Sequence, residues 1–322
     1  LSQNKNNMDN KINSLFGIKY TVISGGMVWC SGWRLVSAVS NAGGLGLLGA
    51  GSMYPEVLRE HIQKCKAATD KPFGVNIPLM YPDIDVLMDI IISEGVKIVF
   101  TSAVNPKLWT KTLQDNGIKV AHVVSSSRFA LKAQEAGVDA VVAEGFEAGG
   151  HNGREETTTM VLIPHVKKVL DIPLIAAGGI ATGEGMLAAF ALGAEGVQIG
   201  SRFAITKESS ASEEFKNLCI GLHEGDTMLS LKKLSPTRLI KNDFYKAVQE
   251  AEDRGAGIEE IREILGRGKA KKGMFEGDLA NGELEIGQIA SIFNEIPSVE
   301  EVIKEIITGF NEGTKKLSGV SF

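Results

Sequence analysis

Cysteine is scarce. Cys30, Cys65 and Cys219 are the only three in 322 residues, too few and too scattered for a disulfide framework or a zinc site, which points to a reducing compartment. No stretch reaches the roughly 18 apolar residues of a membrane span, and no basic start leads into an apolar signal core. A basic excess is missing too: 34 Lys and Arg stand against 39 Asp and Glu, a net charge of −5. A nucleic-acid binder would carry the opposite balance on some face, and only Arg267–Lys272 forms a short basic cluster. These absences describe a soluble, cytoplasmic protein with neither a nucleic-acid nor a membrane partner. Hydrophobic residues at 43% and charged residues at 23% are ordinary for a chain with a sizeable core, which excludes disorder, collagen and coiled coil.

What the chain has in excess is glycine: 37 residues, about 11%, against a usual ~7%. Pairs follow or precede short apolar runs, as at Gly25-Gly26, Gly43-Gly44, Gly149-Gly150 and Gly178-Gly179. Glycine at strand ends tolerates positive φ and lets backbone approach a ligand closely.

Residues 1–10 are polar and Asn-rich and read as a disordered leader. After them a rhythm sets in. Eight short apolar runs are expected as strands: 21–24, 45–48, 73–78, 97–102, 119–124, 140–143, 173–177 and 196–199. Segments with helical spacing separate them. Continuous rather than alternating apolar runs indicate strands buried on both faces, hence a parallel sheet joined by helical crossovers. Eight such units predict an α/β chain folded as a (β/α)8 TIM barrel over 11–207. The doubly wound alternative needs a Gly-rich loop after its first strand, whereas Gly43–Gly46 precedes a strand. From 208 to 322 the rhythm stops. Helical patterns at 243–254, 258–265 and 299–311 predict a helical lid or subdomain beside the barrel mouth.

Barrel active sites lie at the C-terminal ends of the strands. The loops after the seventh and eighth strands, Gly178-Gly179 and Gly200-Ser201, stand where this fold commonly holds phosphate: bare glycine amides and a serine hydroxyl donor can meet an oxyanion. A tight turn alone would also use Gly-Gly. Asn76 interrupts the apolar run Val75-Asn-Ile77; it is either satisfied by nearby backbone or aimed at a planar ligand. His151, flanked by glycines after the sixth strand, can exchange a proton near neutral pH, or brace its loop. Glu144 and Glu147 could pair as carboxylates or cap a helix. His61 and His165 fall in helices, His122 in a strand, and Cys30 near the first strand end has no partner that would make it a nucleophile. No His/Asp/Glu set has metal spacing, so no metal site is expected.

Six motifs resemble one family: Ser24-Gly-Gly-Met27, Asn41-Ala-Gly-Gly-Leu-Gly46, Lys71-Pro-Phe-Gly-Val-Asn76, Ala143-Glu-Gly-Phe-Glu-Ala-Gly-Gly-His151, Ala176-Ala-Gly-Gly-Ile180 and Gln198-Ile-Gly-Ser-Arg-Phe203. They are similar to the FMN-dependent barrel family of nitronate monooxygenases and enoyl-[acyl-carrier-protein] reductases II. The likeness resumes at Lys272–Asp278 and Ile286-Gly-Gln288. Ala143-Glu144-Gly145 resembles the reductase branch. Ser24 and the Ser102-Ala-Val-Asn105 turn depart from the usual pattern.

The resemblance implies an FMN-dependent oxidoreductase. NADPH or NADH would reduce the flavin, which would then reduce a trans-2-enoyl group on acyl carrier protein, in fatty acid synthesis. Nitronate oxidation by O2 is the alternative. By the same resemblance, Gly178, Gly179, Gly200 and Ser201 would hold the FMN phosphate. Gly25, Gly26 and Met27 would lie against the ring, with Asn76 and Glu144 at its polar edge and His151 on the substrate side. The reductase branch also brings an expectation of a homodimer and of a monovalent cation, for which no residue set here marks a site.

Overall fold

The computed structural model describes residues 10–81 and 83–320. Apart from Asn10, the expected leader lies outside the described residues. The strands are β1 (Val22–Ser24), β2 (Gly46–Gly49), β3 (Phe73–Pro78), β4 (Ile98–Ser102), β5 (Lys119–Val124), β6 (Ala140–Glu144), β7 (Gly150–His151), β8 (Leu174–Ala177), β9 (Gly196–Ile199), β10 (Thr227–Ser230) and β11 (Thr237–Ile240). The helices are α1 (Lys11–Phe16), α2 (Trp33–Asn41), α3 (Pro55–Ala68), α4 (Ile84–Ser93), α5 (Thr110–Asp115), α6 (Ser127–Glu135), α7 (Thr159–Lys167), α8 (Gly183–Ala191), α9 (Ser201–Ala204), α10 (Glu213–Cys219), α11 (Asp243–Asp253), α12 (Ile258–Leu265) and α13 (Val299–Ser318).

Each of the eight apolar runs forms a strand of one parallel sheet, in the order β1-β9-β8-β6-β5-β4-β3-β2. The two edges then meet: Ser24 N donates to Leu45 O at 2.9 Å and Leu45 N to Val22 O at 3.0 Å. The sheet closes into a TIM barrel. Alternation along each strand sorts the apolar residues into two layers. Ile23, Leu47, Phe100, Ala121, Val142 and Ile175 fill the interior, while Val22, Val75, Val99, Val120, Val141 and Val197 pack outward against the helices. Helix α1 adds Ile12 and Phe16 to the interior cluster, with the rings of Phe16 and Phe100 5.5 Å apart.

Beyond β9 the chain is not purely helical, contrary to the sequence-based expectation for 208–322. Strands β10 and β11 pair antiparallel, and β11 pairs in turn with β7, placing Thr237 opposite His151. Helix α13 begins with a capping box: Ser298 Oγ accepts from Glu301 N, and Glu301 Oε2 accepts from Ser298 N. Its stripe Val299, Val302, Ile303 and Ile306 is buried, the i, i+3, i+4, i+7 spacing of one helix face. That face packs on α8 and α2, so α13 closes the helical ring over the seam where the first and last barrel strands meet. Among the described residues, no helix is long and apolar enough to cross a membrane.

Candidate active site

At the C-terminal rim the barrel interior changes from apolar to polar. By the same alternation that points Phe100 and Val142 inward, Asn76, Glu144 and Gln198 complete the inner face of their strands. All three line a cavity of about 1360 Å3. Every residue expected at the site lines it: Gly25, Gly26, Met27, Asn76, Glu144, His151, Gly178, Gly179, Gly200 and Ser201. Ser235 and residues between Leu265 and Ile289 form its outer wall.

The β1 end is pinned by Ser31, whose Oγ donates to Gly25 O at 2.8 Å and accepts from Met27 N at 3.0 Å. Gly25 N donates to Ile199 O at 2.8 Å, which sets this turn beside Gly200. Asn76 Nδ2 donates to Gly26 O at 3.2 Å, and among the described residues its Oδ1 accepts no hydrogen bond. Gln198 Oε1 is buried without a partner among the described residues, an acceptor that a bound donor would satisfy.

Gly178 and Gly179 both have positive φ, 93° and 67°, which explains the pair without appeal to a ligand. Their turn is also fastened, because Thr159 Oγ1 donates to Gly178 O at 2.8 Å. Yet among the described residues the N–H groups of Gly179, Gly200 and Ser201 donate to nothing. Ser201 Oγ accepts from Gly287 N at 2.9 Å, so its own hydroxyl hydrogen stays available. Three bare amides and one hydroxyl at neighbouring strand ends suit an anion such as phosphate. With the orphaned amide oxygen of Gln198 and the glycine-lined turn of β1, this donor set fits FMN, the group the motifs imply.

Glu147 takes the capping alternative, not the paired-carboxylate one. Its carboxylate accepts from Thr159 N at 2.9 Å, at the start of α7. Glu144 stands apart, and burial lifts its carboxyl to about 7; near neutrality it can accept or donate a hydrogen bond.

His151 is an exposed residue of β7. The glycine-flanked loop expected around it is a strand, held by β11 and by Asn152, whose Nδ2 donates to Ala148 O and Gly150 O, both at 3.0 Å. Arg238, 1% exposed, donates from Nη2 to Phe146 O at 2.9 Å, with its guanidinium carbon 4.5 Å from the Phe146 ring centroid. The imidazole therefore projects from a fixed backbone.

His122 is a core residue, 4% exposed, with Nδ1 2.7 Å from Thr101 Oγ1. His61 packs against α2, its Nδ1 accepting from Trp33 N at 3.2 Å. Cys30 is buried, and burial pushes its thiol up to about 12, so it is no thiolate at neutral pH. The loop that replaces a glycine-rich turn holds Ala103 and Val104 at φ of 57° and 45°, a strained conformation for side chains with a Cβ. Among the described residues, no three His, Cys, Asp or Glu side chains gather as a metal site.

Among the cavity residues to which the sequence reading gives no role are Gln198, Glu283 and Glu285. Gln198 carried the signal that marked Asn76, an amide within an apolar run. Glu283 and Glu285 lie more than 130 residues beyond His151 in sequence, and only the fold brings them to it.

Comparison with known proteins agrees with this architecture. The family model for nitronate monooxygenase matches residues 9–309. The solved structure of FabK from Thermotoga maritima superposes with a TM-score of 0.92 at 41% identity, covering 96% of this chain and 98% of that one. A probable nitronate monooxygenase of Staphylococcus saprophyticus is 32% identical, covering 76% of this chain and 82% of that protein. The (3aS,4S,5R,7aS)-5-hydroxy-7a-methyl-1-oxo-octahydro-1H-indene-4-carboxyl-CoA dehydrogenase of Rhodococcus jostii (strain RHA1) is 31% identical, covering 92% and 94%.

Proposed function

The chain belongs to the nitronate monooxygenase family of oxidoreductases, and we propose that it is an enoyl-[acyl-carrier-protein] reductase II, using FMN and NADH or NADPH in the cytoplasm. The observation that carries this reading is the likeness to FabK, which extends over nearly the whole of both chains at 41% identity, against 32% for the Staphylococcus saprophyticus protein. Bound FMN supplies hydride transfer from a nicotinamide to an activated carbon–carbon double bond.

The chain's own groups do the rest. Gly179, Gly200 and Ser201 would present amides and a hydroxyl to the FMN phosphate, with Gly178 shaping the turn. Gly25, Gly26 and Met27 would hold the ring, and Asn76, Glu144 and Gln198 would meet its donors and acceptors, leaving His151 for the substrate. As hydride reaches the β-carbon of the enoyl thioester, negative charge develops on the thioester oxygen and the α-carbon needs a proton. An imidazolium at His151 can stabilise the first or deliver the second. Burial by the acyl carrier and its pantetheine arm would strengthen either interaction by excluding water.

The sequence relatives named for nitronate oxidation support a second reading, in which neutral His151 removes the α-proton of a nitroalkane and O2 is the oxidant. Anaerobic stopped-flow separates them. Rapid bleaching of the flavin by NAD(P)H, followed by recovery of absorbance on adding crotonyl thioester, supports the reductase. Bleaching by alkyl nitronate but not by NAD(P)H removes it.

A further inference from the structure

The short basic cluster Arg267–Lys272 has no part in the chemistry above. Four cations and no carboxylate stand between Leu265 and Phe275, in a chain whose net charge is −5. The fold carries this segment to the cavity mouth, where Leu265, Gly266, Gly268, Lys269, Lys271 and Met274 line the wall. Arg267 and Lys272 are exposed. Among the described residues, neither forms an ion pair or a side-chain hydrogen bond. Lys271 pairs with Glu276 at 3.0 Å, but both side chains are 47% exposed. A pair in water contributes at most about 1 kcal/mol, so Lys271 can exchange it for a stronger anion. Glu283 and Glu285 line the same cavity, but burial pushes their carboxyls up, which reduces the negative charge they set against an anion near neutral pH.

Two aromatic rings lie beside these cations. Trp29 lines the cavity, and its ring stands 5.8 Å from that of Phe275. Lys271 Nζ is 6.0 Å from the Trp29 ring centroid. Phe275 remains 46% exposed. Trp29 has a φ of 61°, a rare backbone for a bulky side chain, and Ser52 Oγ accepts from its N–H at 3.1 Å. A strained backbone that holds an aromatic half-buried at a cavity mouth is the pattern of a ligand contact rather than of a core. Lysines alone would attract any anion. The rings narrow the choice to an anion joined to a flat ring, which gains by packing on them. The phosphate of a pantetheine arm carries no such ring.

Resting on the reductase reading above, in which a nicotinamide dinucleotide enters this mouth, we propose that segment 265–275 and Trp29 bind a phosphoadenosine group. Trp29 and Phe275 take the adenine. Lys271, with Arg267 and Lys272 beside it, takes the phosphate monoester. Two molecules carry that group: NADPH, with its phosphate on the 2′ oxygen, and coenzyme A, with it on the 3′ oxygen.

The test is calorimetric titration of the flavin-loaded full chain with adenosine 5′-phosphate, adenosine 2′,5′-bisphosphate, adenosine 3′,5′-bisphosphate and 4′-phosphopantetheine. One bisphosphate is expected to bind about 10- to 100-fold tighter than the monophosphate, the range of a hydrogen bond to a charged group. Tighter binding of the 2′,5′ isomer assigns the site to NADPH, and of the 3′,5′ isomer to coenzyme A. In R267Q/K271M/K272M that advantage is lost. In F275A every adenosine phosphate weakens by about 5- to 100-fold, the range of one stacked base. The bisphosphate quenches tryptophan fluorescence in the wild type and not in W29F, which places the adenine at Trp29. Retained flavin absorbance reports that each variant is folded. Equal binding of all three adenosine phosphates, binding of none, or unchanged affinities in the variants overturns the assignment. So does 4′-phosphopantetheine binding as tightly as the better bisphosphate. If NAD(P)H fails to bleach the flavin, the reductase reading falls, while the titrations still decide the site.

Discussion

Asn76 occupies the space that a side chain at position 26 would need. A Cβ built on Gly26 would collide with Asn76 Cβ and stand 2.7 Å from its Cγ, while Asn76 Nδ2 donates to Gly26 O. Two strand ends are thus locked through one amide. Gly26→Ala is expected to destabilise the fold by about 1–3 kcal/mol, the usual cost of overpacking, and to weaken flavin retention. Adding Asn76→Gly, which removes the Cβ in collision, should recover part of the stability but none of the flavin. Urea unfolding of the two single variants and the double gives the coupling directly.

Gly179→Asp should yield colourless protein, since it sets a carboxylate among amides proposed to hold phosphate. The positive φ of this position makes any side chain strained, so Gly179→Ala is the necessary control. Alanine should cost stability of about 1–2 kcal/mol yet keep more of the flavin than aspartate does. Visible absorbance after desalting reads both.

His151→Ala should purify yellow and melt near the wild-type temperature, because the imidazole makes no hydrogen bond among the described residues and is exposed. Its turnover with an enoyl thioester should fall by about 10²–10⁴-fold, the range for a general acid. An unchanged steady-state rate removes the residue from the chemistry.

Glu144 sets a pH dependence in the flavin-free protein. Burial raises its carboxyl from 4.5 to about 7, so the folded state holds a proton that the unfolded chain has released between those values. Stability from this group therefore falls as pH rises from about 4.5 to about 7 and levels off above. Glu144→Gln should flatten that part of the curve, leaving the variant relatively more stable at pH 8 than at pH 5. Thermal melts across the range would show it.

Arg238→Met should loosen the backbone that carries His151. It leaves Phe146 O without its guanidinium donor, a cost of about 1–3 kcal/mol, and removes the cation from the Phe146 face. Faster amide exchange at Gly150 and His151, with exchange in the barrel strands unchanged, would place the effect in β7.

The barrel was legible because its strands are buried on both faces, so they appear as short, mostly apolar runs, five of the eight ended or followed directly by glycine. Strands β10 and β11 were not. Thr227-Met-Leu-Ser230 and Thr237-Arg-Leu-Ile240 are short and interrupted by polar residues, and one buries an arginine whose acceptor, Phe146 O, is remote in sequence. Strand β7 has two residues and exists only because β11 reaches it. At the site, the strand-end motifs marked residues that the fold gathers around one cavity. The acidic pair stayed hidden because Glu283-Leu-Glu-Ile286 looks like any half-exposed segment until the fold sets it over His151.

Helix α13 has a consequence for how the molecule is made. It covers the junction of β1 with β2 and β9, yet it follows the entire excursion that walls the cavity. A chain emerging from the ribosome therefore exposes the apolar flanks of α2 and α8 until that excursion has been synthesised. The barrel's earliest and latest βα units must wait together for their cover, and a nascent fragment stopped before residue 299 would be a client for chaperones rather than a smaller enzyme.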